Sequence, residues 1–136
     1  MTPCGSATTG EGGRRMELLT ESDFTRLSNP GVVSLQLLSP HNSQSARVTI
    51  TRVTVEPGAG QPRHKHDGSE QIWVALEGSA TLLLGDGATR ALNAGEVARF
   101  ADGDVHGVDN TGGAPFVYLA VTAPPINFDY AYRHRS

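Results

Sequence analysis

The chain has 136 residues, one cysteine and a formal net charge of −3 at pH 7, which predicts a single domain with one hydrophobic core. The mixed charges exclude the basic surface of a nucleic-acid-binding protein, and no apolar run approaches the roughly 20 residues of a membrane-spanning helix. Because Cys4 cannot form an internal disulfide and the N-terminus has no apolar segment typical of a secretory signal, we expect a cytoplasmic protein.

The N-terminal part divides into an unstructured segment and one short helix. Residues 1–15 have almost no apolar side chains and are predicted to be disordered, so the folded domain is expected to span 16–136. Thr20–Leu27 is predicted to form a short helix whose first residue is the N-cap. Asp23 would lie in the first turn, where the helix dipole favours an acidic side chain. The Asn-Pro-Gly sequence at 29–31 is expected to end this helix.

The rest of the domain is predicted to consist of short strands separated by turns. Residues 47–55 alternate and are rich in β-branched side chains, which is typical of a strand. Short strands at regular spacing with glycine turns favour an all-β jelly roll or barrel. The predicted strands are Val32–Leu38, Arg47–Val55, Gln71–Glu77, Ala80–Leu84, Thr89–Leu92, Glu96–Phe100, Val105–Val108 and Pro115–Thr122.

Three histidines form the most informative pattern in the chain. His64 and His66 are separated by one residue and are followed by Glu70 and Gln71. On an extended strand, residues two apart point to the same face, which would bring both imidazoles together. His106 ends a second glycine-bounded segment. Two imidazoles, one oxygen ligand and a third imidazole from a neighbouring strand would form a divalent metal site with open positions.

The two segments that carry these histidines resemble the two signature motifs of the cupin superfamily. The first motif lies at 58–78, where glycines flank the His-x-His sequence, and the second lies at 95–110. Ala101 stands where the family usually has proline, although the Asp-Gly-Asp sequence that follows is typical of a turn. Two motifs in the right order make the resemblance specific. The second motif is matched by Gly95, Gly103, His106 and Asn110.

The resemblance implies a double-stranded β-helix, or jelly-roll barrel, that binds one divalent transition metal such as Fe, Ni, Mn, Zn or Cu. It also implies a small-molecule ligand and a homodimer that pairs through apolar strand faces, for which Val32–Leu38 and the row Ile72, Val74 and Leu76 are candidates. The function expected from it is metal-dependent isomerase, lyase, ring-opening or dioxygenase chemistry, with no catalytic residue assigned. The alternative is a non-catalytic sensor or binding cupin.

The family spacing allows two choices for the oxygen ligand, Gln71 and Glu70. Gln71 shares a strand face with Trp73, which suits a pocket lining, whereas Glu70 shares a face with the apolar row that begins at Ile72. Strand parity therefore favours Gln71 and leaves Glu70 as the alternative. The predicted metal ligands are His64, His66, Gln71 and His106.

Four further residues are candidates for substrate binding. Trp73, Phe100 and Tyr118 are aromatic residues on predicted strands, and they are favoured as barrel-lining or core side chains over specific substrate contacts. Arg99 lies on the strand that leads to the third histidine. An arginine facing a cupin pocket could bind a carboxylate through two hydrogen bonds, although a solvated arginine is the simpler expectation for this position.

Overall fold

The computed structural model describes residues 16–126 and the short strand His134–Arg135, and the predicted disorder of residues 1–15 lies outside them. Every strand pairing in this part of the chain is antiparallel. The strands are β1 Thr25–Asn29, β2 Val32–Leu38, β3 Thr49–Val55, β4 Gly60–His64, β5 Glu70–Glu77, β6 Ser79–Leu84, β7 Thr89–Asn93, β8 Val97–Phe100, β9 His106–Asp109, β10 Phe116–Ala123 and β11 His134–Arg135.

The strands form two sheets, as expected for a jelly roll. One sheet has seven strands in the order β11-β1-β2-β3-β10-β5-β8, and the other has four in the order β4-β9-β6-β7. The chain changes sheets repeatedly between β3 and β10, so residues that are close in sequence line both inner faces. The predicted all-β architecture is confirmed, and all eight predicted strands are present with small differences at their ends.

The short helix predicted at Thr20–Leu27 is wrong. The described residues form only a 3₁₀ turn at Glu21–Asp23, and β1 begins at Thr25. Leu27 is fully buried in this strand, which pairs with β2 through a turn where Gly31 has a φ of +76°. Burial of this side chain against the sheet outweighs the local preference for a helix. The second 3₁₀ turn is Gly85–Gly87, and no helix among the described residues is long and apolar enough to cross a membrane.

The hydrophobic core lies between the two sheets and is formed by both. Trp73, Phe116 and Tyr118 are its largest fully buried aromatic side chains. The other core residues are Val32, Val53, Val55, Ala75, Ala80, Leu82, Leu92, Phe100, Val108 and Ala120.

Strand β2 reverses the usual arrangement of polar and apolar side chains. Ser34 and Gln36 point inward and are buried, whereas Val33 and Leu35 point outward and are partly exposed. Thr51, the cross-strand partner of Gln36 in β3, is also buried. Because buried polar groups are unfavourable unless they find partners, this polar inner patch needs a physical reason beyond core packing.

Asn110, the last residue of the second sequence motif, joins strands β3 and β10 through a buried hydrogen-bond network. Its side-chain amide donates to the carbonyl oxygens of Val55 at 2.9 Å and Ala114 at 2.8 Å. Its Oδ1 accepts from the backbone N–H of Gly112 at 3.0 Å. Only 1% of the residue is exposed, so its role in the described structure is to hold the connection that leads into β10.

We expect Asn110→Ala to lower the free energy of unfolding by about 2–3 kcal/mol, because it leaves buried backbone groups without partners. Urea unfolding monitored by circular dichroism measures this change. Asn93→Ala, at the exposed end of β7, is the matched control and should change the free energy by less than about 0.5 kcal/mol. Equal effects of the two substitutions would contradict the assignment.

Candidate metal centre

Three imidazoles meet beside an internal cavity of the barrel. His64 is the last residue of β4, His66 lies in the loop that follows, and His106 is the first residue of β9. Their ring centroids are 4.5 to 5.2 Å apart. One ring nitrogen of each histidine lies within 4.8 Å of those of the other two. The three predicted histidine ligands are therefore brought together by the fold.

The loop after β4 positions His66, because the strand ends at His64, two residues before the end of the predicted His-x-His strand. The backbone N–H of Gly103 donates to the carbonyl oxygen of His66 at 2.9 Å. The carboxylate of Asp102 accepts from the N–H of Gly68 at 2.6 Å. The turn before β9 therefore holds the loop that carries the second histidine and fixes it relative to His106.

This turn forms without the proline that the motif usually has. The N–H of Ala101 donates to the carboxylate of Asp104 at 2.8 Å, and the N–H of Asp104 donates back to the carbonyl oxygen of Ala101 at 3.0 Å. The side chain of Asp104 therefore closes the turn that a proline would otherwise favour.

Backbone carbonyl groups orient two of the three imidazoles. Nδ1 of His64 donates to the carbonyl oxygen of Pro62 at 2.8 Å, and Nδ1 of His106 donates to that of Asp104 at 3.0 Å. A carbonyl oxygen can only accept, so each Nδ1 carries a proton, and in the neutral imidazole Nε2 then keeps its lone pair. This second hydrogen bond is the arrangement that normally orients a metal-binding histidine.

The ring nitrogens have the electrostatic character of metal ligands. Nε2 of His106 is buried and has no hydrogen-bond partner among the described residues, which fits a nitrogen that binds an ion. Burial lowers the pKa of His106 to about 4. Burial, and secondarily the nearby imidazole of His64, also lowers the pKa of His66. Both imidazoles are therefore neutral at pH 7, which is the form that binds a metal.

Gly107 allows strands β4 and β9 to approach closely at the histidines. A Cβ atom at this position would lie 2.8 Å from the carbonyl oxygen of Gln61 and 2.9 Å from the backbone of Pro62. Any larger residue would therefore separate His64 from its cross-strand partner His106. Sequence reasoning missed this residue, although an isolated glycine inside a strand often indicates close approach of another backbone.

The two candidates for the oxygen ligand point in opposite directions. Gln71 is buried and lines the same cavity as His64 and His66. Glu70 points outward and forms an exposed ion pair with Arg99 at 2.7 Å. The facing deduced from strand parity is therefore found in the structure, while binding of the metal by Gln71 stays a prediction.

Hydrogen bonds at both ends fix the Gln71 amide. Its Oε1 accepts from the indole N–H of Trp73 at 2.7 Å, and its Nε2 donates to the hydroxyl of Thr122 at 2.8 Å. The indole can only donate, so this contact identifies which end of the amide is the oxygen. A carbonyl oxygen has two lone pairs, and the second remains available to an ion.

The aromatic candidates surround the site, whereas the arginine does not. Trp73 stacks on Tyr118 with ring centroids 4.2 Å apart, and Phe100 stacks on His106 at 4.5 Å. Trp73 and Tyr118 also line the cavity. The side chain of Arg99 is 63% exposed on the opposite face of its strand, so the structure does not bring it to the histidines.

The cavity beside the histidines has a volume of about 290 Å³. Besides the residues predicted for the site, it is lined by uncharged polar side chains that sequence reasoning missed. The alternation of β2 and β3 could have identified those on these strands, because their polar residues occupy the alternate positions that face inward. These missed residues include Ser34, Gln36, Thr51 and Gln61.

Comparison with known proteins gives a family match and several relatives. The family model described as "Cupin domain" matches residues 51–122. The oxalate-binding protein of Thermotoga maritima is 28% identical over 109 residues, which are 79% of this chain and 89% of that protein.

Solved structures give the same architecture. A predicted oxalate decarboxylase from Thermotoga maritima aligns with a TM-score of 0.66 at 28% identity, covering 79% of this chain and 98% of that one. The polyketide cyclase RemF from Streptomyces resistomycificus aligns with a TM-score of 0.71 at 24% identity, covering 82% of this chain and 81% of that one. The likeness to the polyketide cyclase shows a shared fold alone.

We expect His106→Ala to lose most of the bound metal without unfolding the barrel, because it removes a ligand nitrogen and leaves the strand pairing intact. Elemental mass spectrometry measures the metal, and thermal unfolding followed by circular dichroism checks the fold. His41→Ala, an exposed histidine outside both motifs, is the control. Equal metal content in both variants would contradict a site at His106.

Proposed function

This chain belongs to the cupin domain family, and we propose that it is a small metal-dependent enzyme that acts on a small molecule through ligand oxygen atoms. The reaction classes we consider are isomerisation, elimination, ring opening and dioxygenation. The observation that carries the proposal is the convergence of three histidine ring nitrogens within 4.8 Å, at a point where His64 and His66 line a cavity. Hydrogen bonds from Nδ1 of His64 and His106 to carbonyl oxygens orient these rings as in metal-binding histidines.

The residues of the site suit one divalent transition metal. In the proposed site His64, His66 and His106 supply nitrogen and Gln71 supplies oxygen. A bound divalent ion would polarise a carbonyl or hydroxyl oxygen as a Lewis acid, and iron would also allow reaction with O₂. A glutamine in place of a carboxylate leaves the ion with its full positive charge, which favours the Lewis-acid reactions over the redox ones.

The surroundings of the site restrict where a proton can go. Of the described residues that line the cavity, the histidines and Tyr118 are the only ones with ionisable side chains. The phenolic hydroxyl of Tyr118 donates to Oε1 of Gln61 at 3.1 Å, which holds it at the cavity wall. Proton transfer in the proposed reaction would therefore use this hydroxyl, a histidine or a bound water.

The second candidate function is binding without catalysis. It is favoured by the relative named as an oxalate-binding protein, and by the absence of a carboxylate among the described cavity-lining residues. A carboxylate is a common general base, so a cavity without one suits a sensor or a binding protein as well as an enzyme.

A homodimer and a cytoplasmic location remain predictions of this proposal. Leu76 is 40% exposed and Val97 is 62% exposed. They lie with Ile72 and Val74 on the outward face of the seven-stranded sheet, the same face as the partly exposed residues of β2, from which β3 and β10 separate them. An apolar sheet face of this kind supports pairing with a second copy, since such faces are unfavourable in water.

We expect Gln71→Ala to weaken metal binding more than Glu70→Ala, because only Gln71 faces the histidines. Titration of the metal-free protein with zinc, followed by isothermal calorimetry, measures both affinities. The loss for Gln71→Ala should be roughly tenfold or more, within the range found when groups around metal sites are removed. If Glu70→Ala causes the larger loss, the proposed ligand set is wrong.

The function is tested first by the metal content of untagged protein that was purified without chelators or added metal. We expect about one metal ion per chain, lost in His64→Ala. Iron would direct the next assays to oxygen consumption, and nickel, manganese or zinc would direct them to isomerase, lyase and ring-opening reactions. Substoichiometric metal that does not respond to His64→Ala would rule out the metal-dependent enzyme and leave the binding protein.

A further inference from the structure

The cavity has two chemically different walls. The histidines come from the four-stranded sheet and the loop after β4, whereas Gln36 and Thr51 belong to the seven-stranded sheet. Gln36 and Thr51 are direct cross-strand partners on neighbouring strands. Inward side chains at such positions have Cβ atoms about 4.5–5.5 Å apart, so they form one continuous polar patch.

The polar patch contains a hydroxyl group that needs a partner. Oγ1 of Thr51 is buried and has no hydrogen-bond partner among the described residues, and the same is true of Thr49, two residues earlier on the same face. A buried polar group without a hydrogen-bond partner destabilises the folded protein. Thr51 lines the cavity, so a ligand that offers a hydrogen-bonding group there would remove this cost.

No described cation faces this patch. Of the described residues that line the cavity, none is Asp, Glu, Lys or Arg. Arg52, next to Thr51 in sequence, pairs with the exposed Glu77 at 3.7 Å, and Arg63, next to His64, donates to the carbonyl oxygen of Leu84 at 2.7 Å. A second anionic group on a ligand would therefore meet amide and hydroxyl groups instead of a positive charge.

We propose that the cavity selects an uncharged ligand rich in hydroxyl and carbonyl oxygens and discriminates against a dicarboxylate long enough to span it, such as succinate. This inference rests on the proposed function, since one end of the ligand would lie at the metal site. The other end reaches the opposite wall and forms hydrogen bonds with Thr51 and Gln36. A ligand of this class satisfies the buried hydroxyl without placing a negative charge in a site that lacks a described side-chain cation.

Trp73 provides a direct readout of the cavity. It is the only tryptophan in the sequence, it lines the cavity, and its indole N–H is bonded to Gln71. The single indole N–H resonance in a proton–nitrogen NMR spectrum therefore reports ligand binding without any assay of activity. Zinc suits this measurement because it is diamagnetic and has no redox chemistry.

The experiment titrates the zinc-loaded full chain with dihydroxyacetone, D-xylose and succinate, and follows the indole resonance. We expect at least one of the neutral probes to bind more tightly than succinate. Thr51→Val should weaken that neutral probe roughly three- to tenfold, the loss of one hydrogen bond, and leave succinate unchanged. Thr51→Val should not lower the unfolding temperature, because it removes a hydroxyl that has no partner.

Thr54→Val is the matched control, since Thr54 lies on the same strand with the opposite parity and is partly exposed. Tighter binding of succinate than of both neutral probes would overturn the proposal, as would equal effects of Thr51→Val and Thr54→Val on the neutral probe. Failure of the proposed function is seen separately, as failure of zinc to bind. In that case the same neutral probes, titrated into the metal-free protein, still test the dependence on Thr51.

Discussion

The pairing of β4 with β9 is the constraint on which the candidate site depends. It sets His64 directly opposite His106, and the absence of a side chain at Gly107 lets the two backbones approach closely enough for their imidazoles to meet. The turn before β9 then binds the loop after β4 through Asp102 and Gly103, which brings in the third histidine. The candidate metal site is therefore a consequence of backbone geometry, and main-chain carbonyl groups orient two of its three imidazoles.

In β2, polar side chains point into the barrel and apolar side chains point outward. A barrel filled only by packing would have the opposite alternation, because the interior is where apolar area is best buried. The inward Ser34 and Gln36 therefore indicate a cavity that suits a polar ligand. The outward Val33 and Leu35 indicate a surface that suits contact with another protein chain. The alternation of β2 therefore contributes both a polar wall of the cavity and an apolar part of the outer sheet face.

Much of this could be predicted from the sequence because its signals are local. Glycine turns and alternating strands predicted the all-β fold, and the spacing of the three histidines predicted that their imidazoles would cluster. Three features were not predicted, and the first two depend on distant contacts. β1 replaces the predicted helix because Leu27 is buried against the sheet. His66 is placed by a turn more than 30 residues later in the chain. Arg99 was a pocket candidate by position, but its parity directs it to Glu70 on the outer face.

Gln71 links the metal site to the cavity in a way that bears on selectivity. Its amide is fixed by Trp73 and Thr122, so a bound ion would meet an oriented but uncharged oxygen. With neutral imidazoles as the other ligands, the ion would be the only full charge at the site, and it would attract anions without distinguishing among them. Discrimination must then come from the far wall. There an uncharged ligand finds hydrogen bonds at Thr51, whereas a second carboxylate finds no described side-chain cation. The ion at the metal end of the cavity would therefore attract the ligand, and the uncharged wall at Thr51 would determine which ligand binds best.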